Sequence, residues 1–333
     1  MRTLTTATKN PRKGKFLMSA VWDIIRSFYC HDALVIVSLV GFSIMGLCIA
    51  CRFPGLLYFL VQNLLISVCI ILIAVADRKK DGTILSAVHR FYVAPMIFIM
   101  FKEVYVMLPL VQDKLYDGVL IAIDHAVFGV NPTQWLSHYV SPLSVEYFQL
   151  CYSSFYLIML GLAFEMVVRK QREKYEQTIT YLTWGFILSF IGYFLVPAIG
   201  PRFTLHDFSQ LSNDLPGLWL TDIFRDLINS GESIVKGAGN YLATAQRDAF
   251  PSGHTEMTLI TIALAWRYKA RIRWWATIIG ASLVFATVYL RYHYVVDIAG
   301  GIAFFCLTMW TAPFIERQWS RIVTYADTAA RSL

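Results

Sequence analysis

AFPSGHTEM, residues 249–257, sets a serine, a glycine and a histidine directly after a proline and directly before an apolar helix. Further along, YLRYHYVVDIAGG at 289–301 puts a second histidine and an aspartate at the mouth of another apolar run. Polar groups placed this way need an explanation, because the chain around them is very apolar. Of its 333 residues 57% are hydrophobic and only 15% charged, and the mean hydropathy is +0.54. Soluble domains carry roughly 25% charged residues. Apolar runs of helical length recur, whereas the ten-residue alternation of a membrane barrel is absent. The fold class expected is all-α and integral to the membrane, since only helices and closed barrels satisfy the backbone in lipid.

Eight spans are expected, at 33–51, 55–76, 91–111, 143–168, 179–199, 254–268, 274–290 and 295–316. The distribution of Lys and Arg tests this count, because cytoplasmic loops carry the excess. With the N-terminus in the cytoplasm, the inner side collects the basic tail, Arg78 to Arg90, Arg169 to Lys174, Arg267 to Arg273 and the C-terminal arginines. The outer side holds only Arg52, Lys114, Arg202, Arg225, Lys236, Arg247 and Arg291. Both termini are therefore expected in the cytoplasm. The net charge of +7 is spread between apolar runs, which argues against a nucleic-acid partner. The six cysteines show neither CxxC nor metal spacing, and no disulfide framework is expected.

Three parts are expected. Residues 1–80 form a basic tail, read without a cleavable signal, and two N-terminal helices. Residues 81–318 form a six-helix core with outer segments 112–142 and 200–253, and 319–333 form a cytoplasmic tail. The outer segments contain short amphipathic stretches, LYDGVLIAIDHAVFG, NPTQWLSHYV and LWLTDIFRDLINS, suited to the interface.

With this topology His254, His293 and Arg202 reach one membrane face from loops far apart in sequence. His293 and Asp297 are four apart, one helical face, so the carboxylate can take the imidazole Nδ1–H and leave Nε2 free to attack. Ser252 is a good N-cap, and the first turn behind it offers N–H groups to an anion. His254 then stands as proton donor to a leaving oxygen, and Arg202 as a planar clamp for phosphate oxygens. Taken singly, each residue has a plainer reading: an interfacial histidine, a salt bridge between Asp297 and Arg291, a headgroup anchor at Arg202. Their convergence on one face favours phosphoryl transfer. Metal binding by the two histidines and Asp297 is the weaker reading, because no HExxH or carboxylate cage accompanies them. No cofactor is called for.

FPSGH at 250–254 and YLRYHYVVD at 289–297 resemble the type-2 phosphatidic acid phosphatase superfamily, whose fold is shared with vanadium haloperoxidases. The resemblance covers about 91 to 316, six helices, with two more in front. It implies His293 as nucleophile forming a phosphohistidine, Asp297 as its orienter, His254 as general acid, Ser252 and Gly253 as phosphate holders, and no metal. The chain departs from the family pattern in two places. GPR at 200–202 puts proline before arginine, with Leu195 where a lysine is usual, and Thr287 stands where the third motif has an arginine. Arg291 and Arg247 are the expected replacements for the missing cations. These departures, the extra helices and DHAVFGVNP are similar to the inositol phosphorylceramide synthase branch, which implies transfer of a headgroup to a lipid alcohol rather than plain hydrolysis.

The substrate expected is a lipid phosphate at the outer leaflet, in a bacterial inner membrane with the site periplasmic ahead of a Golgi membrane with the site lumenal. The alternative is a transporter or channel, which wants ionisable groups at mid-membrane. Lys102 and Glu103 are the only adjacent charged pair within a span, and no internal repeat is present. A scaffold without chemistry leaves the histidines unexplained.

Overall fold

The computed structural model describes residues 20–79, 84–232, 234 and 241–331. The basic stretch before residue 20 and Lys236 lie outside them. Twelve helices are used below: α1 (Cys30–Cys48), α2 (Leu56–Lys79), α3 (Ile84–Phe91), α4 (Val93–Val111), α5 (Asp117–Phe128), α6 (Pro142–Ser153), α7 (Phe155–Val168), α8 (Arg172–Leu195), α9 (Thr221–Gly231), α10 (Gly253–Arg267), α11 (Arg273–Tyr289) and α12 (Val295–Arg331). Among the described residues no strand forms; a single parallel bridge joins Ala198 to Asp248. All six cysteines are free.

The fold class is as the sequence indicates, but the count of eight spans is not established. Among the described residues five helical stretches are long and apolar enough to cross a membrane, α1, α2, α3 with α4, α8 and α12, and α6 with α7 makes a sixth if that bent pair is one span. The stretch expected at 143–168 divides at Ser154 with a 45° bend. Ser154 Oγ donates to the Cys151 carbonyl at 2.6 Å, a back-bond that bends helices. The spans expected at 254–268 and 274–290 are α10 and α11, of 15 and 17 residues, short of the ~20 that cross a hydrocarbon core. α10 packs against α7, α8, α11 and α12, so its length answers to protein neighbours rather than to bilayer thickness. α12 continues to Arg331 through the segment expected as a tail. α8 stops at Leu195 because Pro197 disfavours helix at the residue before it.

α10 is the centre of the bundle. Met257, Ile260 and Leu264 are fully buried there. Its approach to α12 depends on Gly301, where a Cβ would sit 2.6 Å from the Ser252 carbonyl oxygen. Small residues at such crossings let backbones meet. The N-terminal helices are joined by a buried polar knot: His89 Nδ1 lies 2.8 Å from Asp77 and Nε2 3.0 Å from Asp32, and the Tyr92 hydroxyl donates to Asp32 at 2.6 Å. Lys102 and Glu103 both line a groove between α2 and α4. Glu103 is 4% exposed and accepts from Gln62, while Lys102 donates to the Gly231 carbonyl at the end of α9.

Candidate active site

The start of α10 is built by Ser252, whose backbone is extended and whose hydroxyl accepts from Thr255 N at 3.3 Å. The Ser252 N–H donates to the Asp297 carbonyl at 3.0 Å, tying this start to the start of α12. Ser252 is fully buried and also receives the Thr255 hydroxyl at 3.0 Å, so its side chain serves the cap, while Gly253 and His254 face a cavity of about 410 Å³.

His293 was expected to begin a helix; it lies in the turn two residues before α12. It still meets Asp297, because Asp297 sits in the first turn of α12 and reaches back. Asp297 Oδ2 accepts from Tyr294 N at 2.8 Å and lies 3.3 Å from His293 Nδ1. A nearer partner, unforeseen, is the Ala249 carbonyl at 2.8 Å. Both partners are acceptors, so Nδ1 carries the proton and Nε2 holds the lone pair.

His254 faces His293 at a ring separation of 5.8 Å. An aromatic stack fixes it: Tyr152 lies 4.6 Å from the His254 ring and 4.2 Å from Tyr292, nearly parallel to the latter, and Phe155 closes the other side at 4.4 Å. Arg202 joins them from the turn after α8. Gly200 there has φ +89, open to glycine, and the Arg202 N–H donates to the Arg291 carbonyl at 3.0 Å. The guanidinium packs over Tyr292 at 4.8 Å and pairs with Glu232.

The structure thus brings Arg202, Gly253, His254 and His293 to one cavity, with Asp297 behind His293. Arg291 and Arg247 are elsewhere. The Arg291 guanidinium holds Asp214 at 2.7 Å and Ser137 at 3.1 Å, while Arg247 donates to the Gln112 carbonyl at 2.7 Å. Neither lines the cavity. Two acidic residues that sequence reasoning missed do line it, Glu232 and Asp248. Burial, then the neighbouring Glu232 charge, pushes the Asp248 carboxyl up to about 6. Its position directly before AFPSGH was the available signal. Away from the histidines the walls are apolar, with Ile97, Phe101 and Phe186 from the bundle and Phe224, Leu227 and Ile228 from α9. Among the described residues no cluster of three or more His, Cys, Asp or Glu side chains could hold a metal ion.

A family model described as the PAP2 superfamily matches residues 119–311, more than half of the chain. The chain belongs to the PAP2 superfamily. PAP2 proteins are generally phosphatases, and membership implies a lipid phosphate substrate in a membrane context. The PAP2 match begins in α5 and ends within α12, so it takes in Arg202, both histidines and Asp297 and leaves α1 to α4 outside. No curated protein and no solved structure matches the chain.

Within the PAP2 core the two carboxylates of α5 act as a bracket, legible in retrospect from their spacing of seven, two helical turns. Asp124 accepts from Val295 N and Val296 N, both at 2.8 Å, and so caps α12. Asp117 accepts from Gly200 N at 2.9 Å, Ile199 N at 3.1 Å and the Tyr294 hydroxyl at 2.8 Å. Asp117→Ala strands these buried donors, at about 1–3 kcal/mol each. The variant is expected to melt several degrees lower in detergent and to lose activity through a loosened Arg202 turn. A melting curve that overlays wild type would contradict the bracket.

Proposed function

We propose that this PAP2 protein transfers a phosphoryl or phosphorylated headgroup from a lipid by way of a phosphohistidine at His293. The observation that carries the reading is His254 opposite His293 in a cavity whose remaining walls are apolar enough for acyl chains. In the first step Nε2 of His293 forms a bond to phosphorus, the bond to the lipid oxygen breaks, and His254 gives that oxygen its proton. In the second, water or a lipid alcohol loses its proton to His254, attacks phosphorus, and the P–N bond breaks. Asp297 and the Ala249 carbonyl hold Nδ1–H throughout. Arg202 and the first-turn N–H groups of α10, with Gly253 and Ser252 shaping that turn, receive the phosphate oxygens. Arg291 supports this from behind, since its carbonyl receives the Arg202 N–H; the Arg247 side chain braces the loop before Asp248 by its bond to Gln112. No step needs a metal or a cofactor.

Glu232 against Arg202 lowers the positive charge available to the substrate. That favours a singly charged phosphodiester over a phosphomonoester dianion, and therefore transfer in the manner of inositol phosphorylceramide synthases. Purified protein given a phospholipid, with and without diacylglycerol or ceramide, decides the acceptor. A new phospholipid identifies a transferase and free phosphate a phosphatase; neither product would refute the reading.

The positive-inside distribution supports eight crossings with both termini cytoplasmic and the site on the opposite face, periplasmic in a bacterial inner membrane. Cysteines introduced in 203–220 are expected to react with an impermeant thiol reagent added outside intact cells. Reaction only after the membrane is opened would reverse the orientation.

A further inference from the structure

A second space lies beside the catalytic cavity. It is a groove of about 460 Å³ between α2 and α4. Tyr58 and Phe98 on its rim are 75% and 47% exposed, so it faces lipid rather than the bundle. Its base is polar. Gln62 Nε2 donates to Glu103 at 3.0 Å, and Asn63 Nδ2 donates to the other Glu103 oxygen at 3.4 Å and to Ser43 of α1 at 3.1 Å. An ionisable group inside a span costs at least ~2.5 kcal/mol on insertion scales, which is why such groups usually mark a site. α1 and α2 stand outside the PAP2 match, so this polar base is an addition to the core and not part of its chemistry.

The base lies at a meaningful depth. Glu103 is eight residues from Val111, the active-site end of α4, or about 12 Å. Gln62 is six residues from Leu56 at the same end of α2, or about 9 Å. With the active-site ends of both helices at the membrane surface, as the proposed topology has them, that is just below a headgroup layer, the level of a lipid's hydroxyl and its ester or amide groups. The lining carries a carboxyl and a side-chain amide together with Lys102, whose amine donates to the Gly231 carbonyl beside Glu232; with a carboxylate on each side of that amine, a phosphate is disfavoured. Phe98 lines both the groove and the catalytic cavity, so the two spaces lie on either side of one side chain.

We infer that the groove between α2 and α4 binds a neutral, hydroxyl-bearing lipid, the alcohol that accepts the phosphoryl group; this rests on the transfer reading above. The lipid hydroxyl donates to Glu103, Gln62 holds the adjoining polar group, and the chains lie along Tyr58, Phe59 and Phe98. Rotation of Phe98 opens the way from groove to cavity.

The test uses the full-length His293→Ala protein, which binds without turnover, and diacylglycerol and ceramide carrying a diazirine in one chain. Cross-links are expected to concentrate on Tyr58, Phe59 and Phe98 and to resist competition by phosphatidylcholine. In Gln62→Leu they fall about tenfold, the equivalent of one hydrogen bond. Labels spread evenly over the lipid face of α2, equal competition by phosphatidylcholine, or an unchanged pattern in a well-folded Gln62→Leu protein would overturn the assignment. In the His293-containing protein, Gln62→Leu raises KM for the lipid alcohol about tenfold and leaves phosphoenzyme formation from donor alone unchanged; a parallel loss of both would mark a structural role instead. Absence of phosphohistidine in otherwise wild-type protein refutes the transfer reading, and the cross-links then judge the groove separately.

Discussion

His293→Ala is expected to abolish turnover, a loss of about four orders of magnitude or more, because in the proposed mechanism it removes the atom that bonds to phosphorus. His254, the other histidine of the cavity, is held by Tyr152 and Phe155 and has the acid's role in the proposed mechanism. Asp297→Asn is expected to be milder. A histidine whose tautomer depends on one carboxylate loses both orientation and charge when that carboxylate becomes an amide. Here the Ala249 carbonyl, at 2.8 Å, is the closer acceptor for Nδ1–H. The tautomer survives, and only stabilisation of the developing imidazolium is lost, about 10² to 10³-fold. Phosphoenzyme trapped from labelled donor and counted by acid-labile phosphate measures both. If His293→Ala still accumulates acid-labile phosphate, the nucleophile is another residue. If Asp297→Asn is as dead as His293→Ala, the carbonyl contributes nothing.

His254→Ala is expected to slow transfer from a natural phospholipid by about 10² to 10⁴-fold, the usual worth of a positioned general acid. A lipid alkoxide is a poor leaving group without a proton. A nitrophenolate is not, so formation of the phosphoenzyme from a nitrophenyl ester should be largely spared in the same variant. The ratio of the two rates separates an acid from a nucleophile, since loss of the nucleophile lowers both equally. Equal loss on both substrates would show that His254 does something other than protonate the leaving oxygen. The variant also removes one ring from the Tyr292–Tyr152–His254 stack, so His254→Phe, which keeps the stack without the proton, is the cleaner form of the experiment.

The membrane class and the pairing of two histidines with an aspartate were readable because they depend on local features. Apolar runs declare helices, Pro251-Ser252 declares a helix start, and a spacing of four brings His293 near Asp297 even though His293 proves to lie outside the helix. What the sequence concealed were contacts made by backbone or by distant loops. No pattern marks the Ala249 carbonyl as the partner of His293, because every residue has a carbonyl. Nothing local assigns Glu232 to Arg202, thirty residues away. The expected helper cations show the same limit. Arg291 is two residues from His293, yet its left-handed backbone, φ 68, goes with a side chain turned to Asp214 and Ser137. Counting spans from hydropathy meets a related limit. Hydropathy and length report what a helix needs when it faces lipid, and α10, enclosed by other helices, is released from that need.

The sequence by itself determined that this is a helical membrane protein and which residues are candidates for its chemistry, because hydrophobicity, capping and helical periodicity are local properties of the chain. Only the tertiary structure decided which of those residues meet. The cavity is closed by turns from four separate elements, and α5 sets two of them through Asp117 and Asp124, which bind backbone N–H groups more than seventy residues away. Such contacts are specified by the packing of the bundle as a whole, and a hydrogen bond to a backbone amide leaves no mark in the identity of the residue that donates it.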